Sequence, residues 1–187
     1  MRKCLQPTAL LFAALFLVGC DDFVSIHPLY DESTLTSDPS LAGTWTSTEG
    51  DIWTFAPSKG RKYQLTVTDS PRLSEKSEEE KWEFEAGLVE LSGRLFLDLC
   101  GKDSGITGAP AHIFARIRID KSSRDGNVLE VAWLVQSWMK KQIDTGTYLT
   151  SLPPAHGRTI LTASTRDLQD FFRRHAWDEE AFSTELK

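Results

Sequence analysis

The chain has 187 residues, a tenth of them aromatic, and carries 21 Lys and Arg against 27 Asp and Glu, a net charge of −6. That length fits one domain with a sizeable core rather than two. The acidity repels phosphate backbones and anionic headgroups, which argues against nucleic acid and charged bilayers as surface partners.

The first residues read as a three-part export signal. Arg2 and Lys3 supply the positive start, and an apolar run of about ten residues extends from Ala9 to Val18, half of the roughly 20 that a spanning helix needs. The stretch Leu17-Val18-Gly19-Cys20 resembles the lipobox of bacterial lipoproteins. The resemblance implies cleavage after Gly19 and acylation of Cys20, by palmitate and related chains. The domain would then be anchored on the periplasmic or other extracytoplasmic side of a bacterial membrane. Several acyl chains, at about 0.8 kcal/mol per buried methylene, hold without a spanning helix. Asp21 and Asp22 follow; an aspartate at that position resembles the signal that retains enteric lipoproteins in the inner membrane, and two acids also suit the start of a solvated tether.

Removal of residues 1–19 takes Arg2 and Lys3 away, leaving 19 basic against 27 acidic side chains, a net charge of −8. Cys4 leaves as well, and Cys20 is consumed by lipid. Cys100 then remains alone, so no intramolecular disulfide is expected. It ends the apolar run Leu95 to Cys100 and reads as a small buried hydrophobe.

Residues 20–40 are rich in Asp, Ser, Thr and Pro and read as the lipidated cysteine and its tether, with Phe23, Val24, Ile26, Leu29 and Tyr30 able to dock on the domain. A single β-rich domain is expected over residues 41–187. Period-two alternation marks strands around Trp53 and Phe55, Tyr63 to Val67, Trp82 to Ala86, Ile113 to Ile119, and Leu129 to Val135. Turns are read at Pro57 to Gly60, Leu91 to Arg94 and Arg124 to Asn127, the last holding an Asp-Gly pair. The segments Asp69 to Lys81 and Gly101 to Pro110 read as exposed loops. Gln136 to Ile143 is predicted as a short helical insert. Ser164 or Thr165 caps a helix with Leu168, Phe171, Phe172 and His175 on one face, Asp167 in its first turn and Arg173 and Arg174 in its last. A further helical turn is read over Asp178 to Phe182. The fold class is mainly β: an antiparallel, lipocalin-like barrel or a strongly curved sheet, with a C-terminal helix.

The likeness to lipocalins rests on Gly43-Thr44-Trp45 at the first strand of the domain and on a last strand, Arg158 to Ala163, running into an amphipathic helix. It implies that Trp45 plugs the closed end of a barrel, with Arg158 or Arg166 to cover it. The order of lipobox, polar tether, Leu-x-Gly-x-Trp and later Leu-Thr-Ala-Ser-Thr also resembles small bacterial lipoproteins of unassigned function, which implies no activity.

Candidate chemistry is sparse. Cys100, His112 and Asp98 are conceivable as nucleophile, base and orienting acid, but an apolar run is a poor setting for a reactive thiol, and Asp98 can simply face solvent. His27, His112, His156 and His175 lack zinc-ligand spacing, with His175 better read as favoured by the helix C-terminus. Glu78, Glu79 and Glu80 lack the pattern of a calcium loop. No catalytic residue, metal or cofactor is therefore expected. Of six tryptophans, Trp45, Trp53, Trp82 and Trp133 are the candidates for core or for the wall of a pocket taking a small apolar ligand. The rival reading is an acidic interaction module, an inhibitor or scaffold, in which the 69–81 loop meets a basic envelope protein.

Overall fold

The alternating segments fold as strands because each presents one apolar edge to a shared core. The computed structural model describes residues 23–69, 81–101, 111–122, 126–145, 149–155 and 158–184. Among them, twelve strands form one mixed sheet. Strands β1 (Phe23–Ser25) and β2 (Leu35–Thr36) precede the meander of β3 (Gly43–Thr46), β4 (Ile52–Pro57), β5 (Tyr63–Thr68), β6 (Lys81–Leu91), β7 (Arg94–Gly101), β8 (His112–Asp120) and β9 (Val128–Leu134). Helix α1 (Gln136–Asp144), the hairpin β10 (Ser151–Ala155) and β11 (Arg158–Leu161), helix α2 (Thr165–His175) and a short β12 (Phe182–Ser183) complete the order.

Neighbours from β3 to β9 pair antiparallel. The turn between β6 and β7 has two residues, Ser92 and Gly93, with φ of +51° and +74°. Two left-handed residues give the turn whose twist matches that of paired strands. The sheet is not wholly antiparallel, since β1 runs parallel to β11.

The sheet rolls up. Trp53 on β4 and Trp133 on β9 are separated by four strands in the hydrogen-bonded order, yet their ring centroids lie 6.2 Å apart. The rolled interior is filled by Leu41, Phe55, Tyr63, Leu65, Leu88, Leu97, Leu99 and Ile117, all essentially sealed from solvent. The sheet is nevertheless not closed: β3 ends its path on one side and β10 on the other. The edge of β8 facing away from β7 is divided, pairing with β1 at His112 and with β9 from Ala115 onward. A divided edge offers no single strand for β3 to meet. The strongly curved sheet, not a closed barrel, is the architecture.

The outer face is covered by α2. Ser164 caps it by accepting the amide of Asp167, and Leu168, Phe171 and Phe172 fall on one side at helical spacing. Phe172 meets Phe96 and Phe114 of the sheet edge-on, at 5.2 and 5.3 Å. Such pairs contribute about 0.5–1.5 kcal/mol beyond their area. Helix α1 adds Trp138 and Met139 to this second core. The segment read as a terminal helical turn is a single 3-10 turn, Glu179–Ala181, followed by β12, which pairs back onto β9.

Within the segment read as a tether, residues 23–25 and 35–36 are strands of the sheet. β1 lies between β11 and β8, β2 pairs with β6, and Val24, Leu29 and Leu35 are buried. Side chains clamp the backbone of Leu29 at both ends: its amide donates to Asp98 at 2.6 Å and its carbonyl accepts from Gln169 of α2 at 3.0 Å. Thr165 adds a hydrogen bond to the Pro28 carbonyl.

Candidate functional site

The hairpin registers align three tryptophans. Trp45 stands opposite Trp53, Trp53 opposite Val67, and Val67 opposite Trp82. Directly opposed residues lie about 5 Å apart on one face, so a single row crosses β3 to β6. Trp133 packs against Trp53 from the far side of the roll. One row deeper stand Phe55, Leu65 and Phe84, the first two sealed. Trp45, Trp53, Val67 and Trp133 are half-buried and pack on the interior cluster. Trp82 is 43% exposed and outside that cluster. The tryptophans thus form a shallow aromatic rim over a filled base. Trp45 is fixed there by its ring nitrogen, which donates to the Leu41 carbonyl at 2.9 Å. Of the two arginines considered as its cover, Arg166 is exposed in the first turn of α2, and the side chain of Arg158 lies outside the described residues.

The other constellation comes together only in part. Asp98 does not face solvent: it is 1% exposed, on the face covered by α2, and its Oδ1 is hydrogen-bonded to His112 Nδ1 at 2.6 Å. Burial pushes its carboxyl pKa up, opposed by the hydrogen bonds from His112 and the Leu29 amide. Cys100 stands opposite His112 in the register, but no hydrogen bond joins thiol and imidazole among the described residues. The thiol is half-buried rather than sealed, and desolvation raises its pKa, assisted by the Asp98 charge. A raised pKa leaves little thiolate at neutral pH, the opposite of what a nucleophile needs. The acid and imidazole act as a structural pin for Leu29. Reading the sequence alone misses Leu29 as the partner of Asp98, and Gln169 as the partner of the Leu29 carbonyl; the signal was a polar residue on an otherwise apolar face.

His27 is exposed. His175 lies edge-on to Trp138 at 4.9 Å and 3.7 Å from the Asp178 carboxylate. Cys20, His156, Glu78, Glu79 and Glu80, and with them most of the loop proposed to meet a basic partner, lie outside the described residues. Among the described residues, no three His, Cys, Asp or Glu side chains gather into a metal-binding group. No described helix is long and apolar enough to cross a membrane.

Compared with models of protein families, curated proteins and solved structures, the chain matches none.

Proposed function

We propose that the chain is a lipid-anchored, non-catalytic binding domain of the bacterial envelope, which takes a small apolar or ring-bearing ligand over Trp45, Trp53, Trp82 and Trp133. The observation that carries this reading is the cross-strand row of tryptophans, left partly open at one end of a rolled sheet whose base is filled. Buried apolar area stabilises a complex by about 25 cal/mol per Å², and aromatic walls supply that area on stiff side chains. In this reading the rolled sheet is a barrel-like scaffold left open, which keeps the lipocalin-like placement of Gly43 and Trp45 without a deep interior cavity. The ligand lies on the rim.

The anchor is the second part of the proposal. With Phe23 already in the sheet, the span between an acylated Cys20 and the domain shrinks to residues 20–22. Three residues reach at most roughly 10 Å, so lipid on Cys20 would hold the sheet close to the bilayer, where apolar ligands concentrate. Asp21 and Asp22 favour the inner membrane.

Both parts are open to direct test. Tryptophan fluorescence of the full chain should be quenched saturably by N-phenylnaphthylamine, a neutral apolar aromatic probe. Trp82→Ala and Trp53→Leu should each weaken that binding; an isotherm unchanged in both would remove the rim as the site. A clickable palmitate analogue should label the chain and fail to label Cys20→Ala, and labelling that persisted would sink the anchor.

A further inference from the structure

A concavity lies on the outer face, away from the tryptophan rim. It encloses about 520 Å³ between β7, β8 and β9 and the chain that follows α2, and three arginines line it: Arg94, Arg116 and Arg118. All three project from the same face. Phe96 stands opposite Arg116 and Leu95 opposite Ile117, and one more step of that register sets Arg94 against Arg118. Like charges directly opposed across strands repel. On a chain with net charge −6, such a cluster calls for a physical reason.

Two of the three are neutralised. Arg116 pairs with Glu179 at 2.8 Å, donates to the Ala176 carbonyl at 3.2 Å, and lies over the Phe182 ring. Arg118 pairs with Glu130, its opposite neighbour on β9. Arg94 makes no ion pair among the described residues. Its guanidinium carbon lies over the Trp177 indole, 3.7 Å from the ring centroid. That indole is tied to the turn after β6 by a hydrogen bond to the Ser92 carbonyl. Arg94 Nε is, among the described residues, the one buried side-chain nitrogen or oxygen without a hydrogen-bond partner. Buried donors without partners are rare and costly. The groove therefore holds three guanidinium cations and two carboxylates, and one of the three, Arg94, is under-satisfied and braced against Trp177.

We propose that this groove binds a small soluble oxyanion, a phosphate ester or a carboxylate, between Arg94 and Arg118. The forked guanidinium matches both groups in geometry. The anion would give Arg94 the ionic partner it lacks, while Glu130 and Glu179, already paired with Arg118 and Arg116, would limit how much negative charge the site accepts. Given the anchor proposed above at Cys20, which sets the bilayer near β1, position favours a soluble ligand over a lipid headgroup. The chain enters the sheet at β1, whose Ser25 pairs with His112. Arg118 lies on the same strand, roughly 20 Å further along.

Calorimetry on the full chain in neutral detergent, with glycerol 3-phosphate and succinate as probes, tests the site. Saturable binding of at least one probe is expected, falling with salt and weakened about tenfold or more in Arg94→Gln, the loss of a charge-assisted contact. Arg118→Gln, a change at a largely exposed side chain, should weaken it similarly and covers the case in which Arg94→Gln fails to fold. Absence of heat with both probes would overturn the proposal, as would binding unchanged in a folded variant. Mixed micelles containing phosphatidylglycerol form the third arm. Binding seen there and with neither soluble probe would assign the groove to a headgroup and overturn the soluble ligand.

Discussion

Asp98 and His112 stand 2.6 Å apart across β7 and β8, both buried, and the second oxygen of Asp98 holds the amide of Leu29. The pair joins the sheet to the segment that precedes it in the chain. Asp98→Ala would leave an imidazole nitrogen and a backbone amide without partners in the interior. Breaking a buried pair of this kind costs about 3–5 kcal/mol, so urea denaturation should show a loss of that order. Asp98→Asn keeps an acceptor for Leu29 and should lose less. An alanine variant as stable as the parent would show that the contact holds nothing.

Asp31 gives the acid side of stability. It accepts from the hydroxyl and amide of Ser33 and the amide of Thr34, and takes a contact from Gln169 on α2. The Ser33 hydroxyl is the largest of the influences that hold its pKa well below the usual carboxylate range. A carboxyl depressed on folding is protonated more readily in the unfolded chain. Its contribution is present above the ordinary value of about 3.9 and is lost as pH falls toward its folded value. Thermal midpoints measured between about pH 5 and pH 2 should therefore fall less steeply in Asp31→Asn than in the parent. Parallel curves would exclude Asp31 as a source of the slope.

The sequence makes legible what depends on periodicity and little of what depends on pairing across distance. Alternation at Tyr63 to Val67 and at Ile113 to Ile119 reads directly as strand, and Ser164 with Leu168, Phe171 and Phe172 reads as a capped, one-faced helix; both are found. Residues 23–36 read as tether because two- and three-residue strands are too short to alternate, and their partners lie on β6, β8 and β11. Asp98 reads as ambiguous for a related reason. Its strand is buried on both faces, so the pattern around it is continuous rather than alternating. The four tryptophans could be counted but not aligned, because a row depends on hairpin register. The arginine groove was invisible, since Arg94, in mid-chain on β7, and Trp177, after α2, are far apart in the sequence.

Cys100 separates a structural thiol from a reactive one. With desolvation raising its pKa, alkylation by a maleimide in the folded chain should be slower at neutral pH than for a free thiol of pKa about 8.5. The rate should keep climbing above that value. Cys100→Ala should fold with stability changed by no more than about 1–2 kcal/mol, the loss of a small, half-buried side chain. Fast neutral labelling would instead mark an activated thiol and reopen catalysis at this site.

Gly87 explains how the clamped segment fits against β6. A β-carbon there would stand 2.6 and 2.7 Å from two ring atoms of Tyr30 and 3.3 Å from Leu35. The ring lies where any other residue's side chain would begin, and Lys62 covers it at 4.9 Å from its centroid. Gly87→Ala must push the ring away, and overpacking of this kind costs about 1–3 kcal/mol. Tyr30→Ala loses the ring's packing but vacates the space. The double variant should then be more stable than the two single losses predict, because alanine at 87 meets no ring. That coupling, measured by a double-mutant cycle in denaturant, depends on contact between the two positions. Strict additivity would mean that Tyr30 does not rest on Gly87.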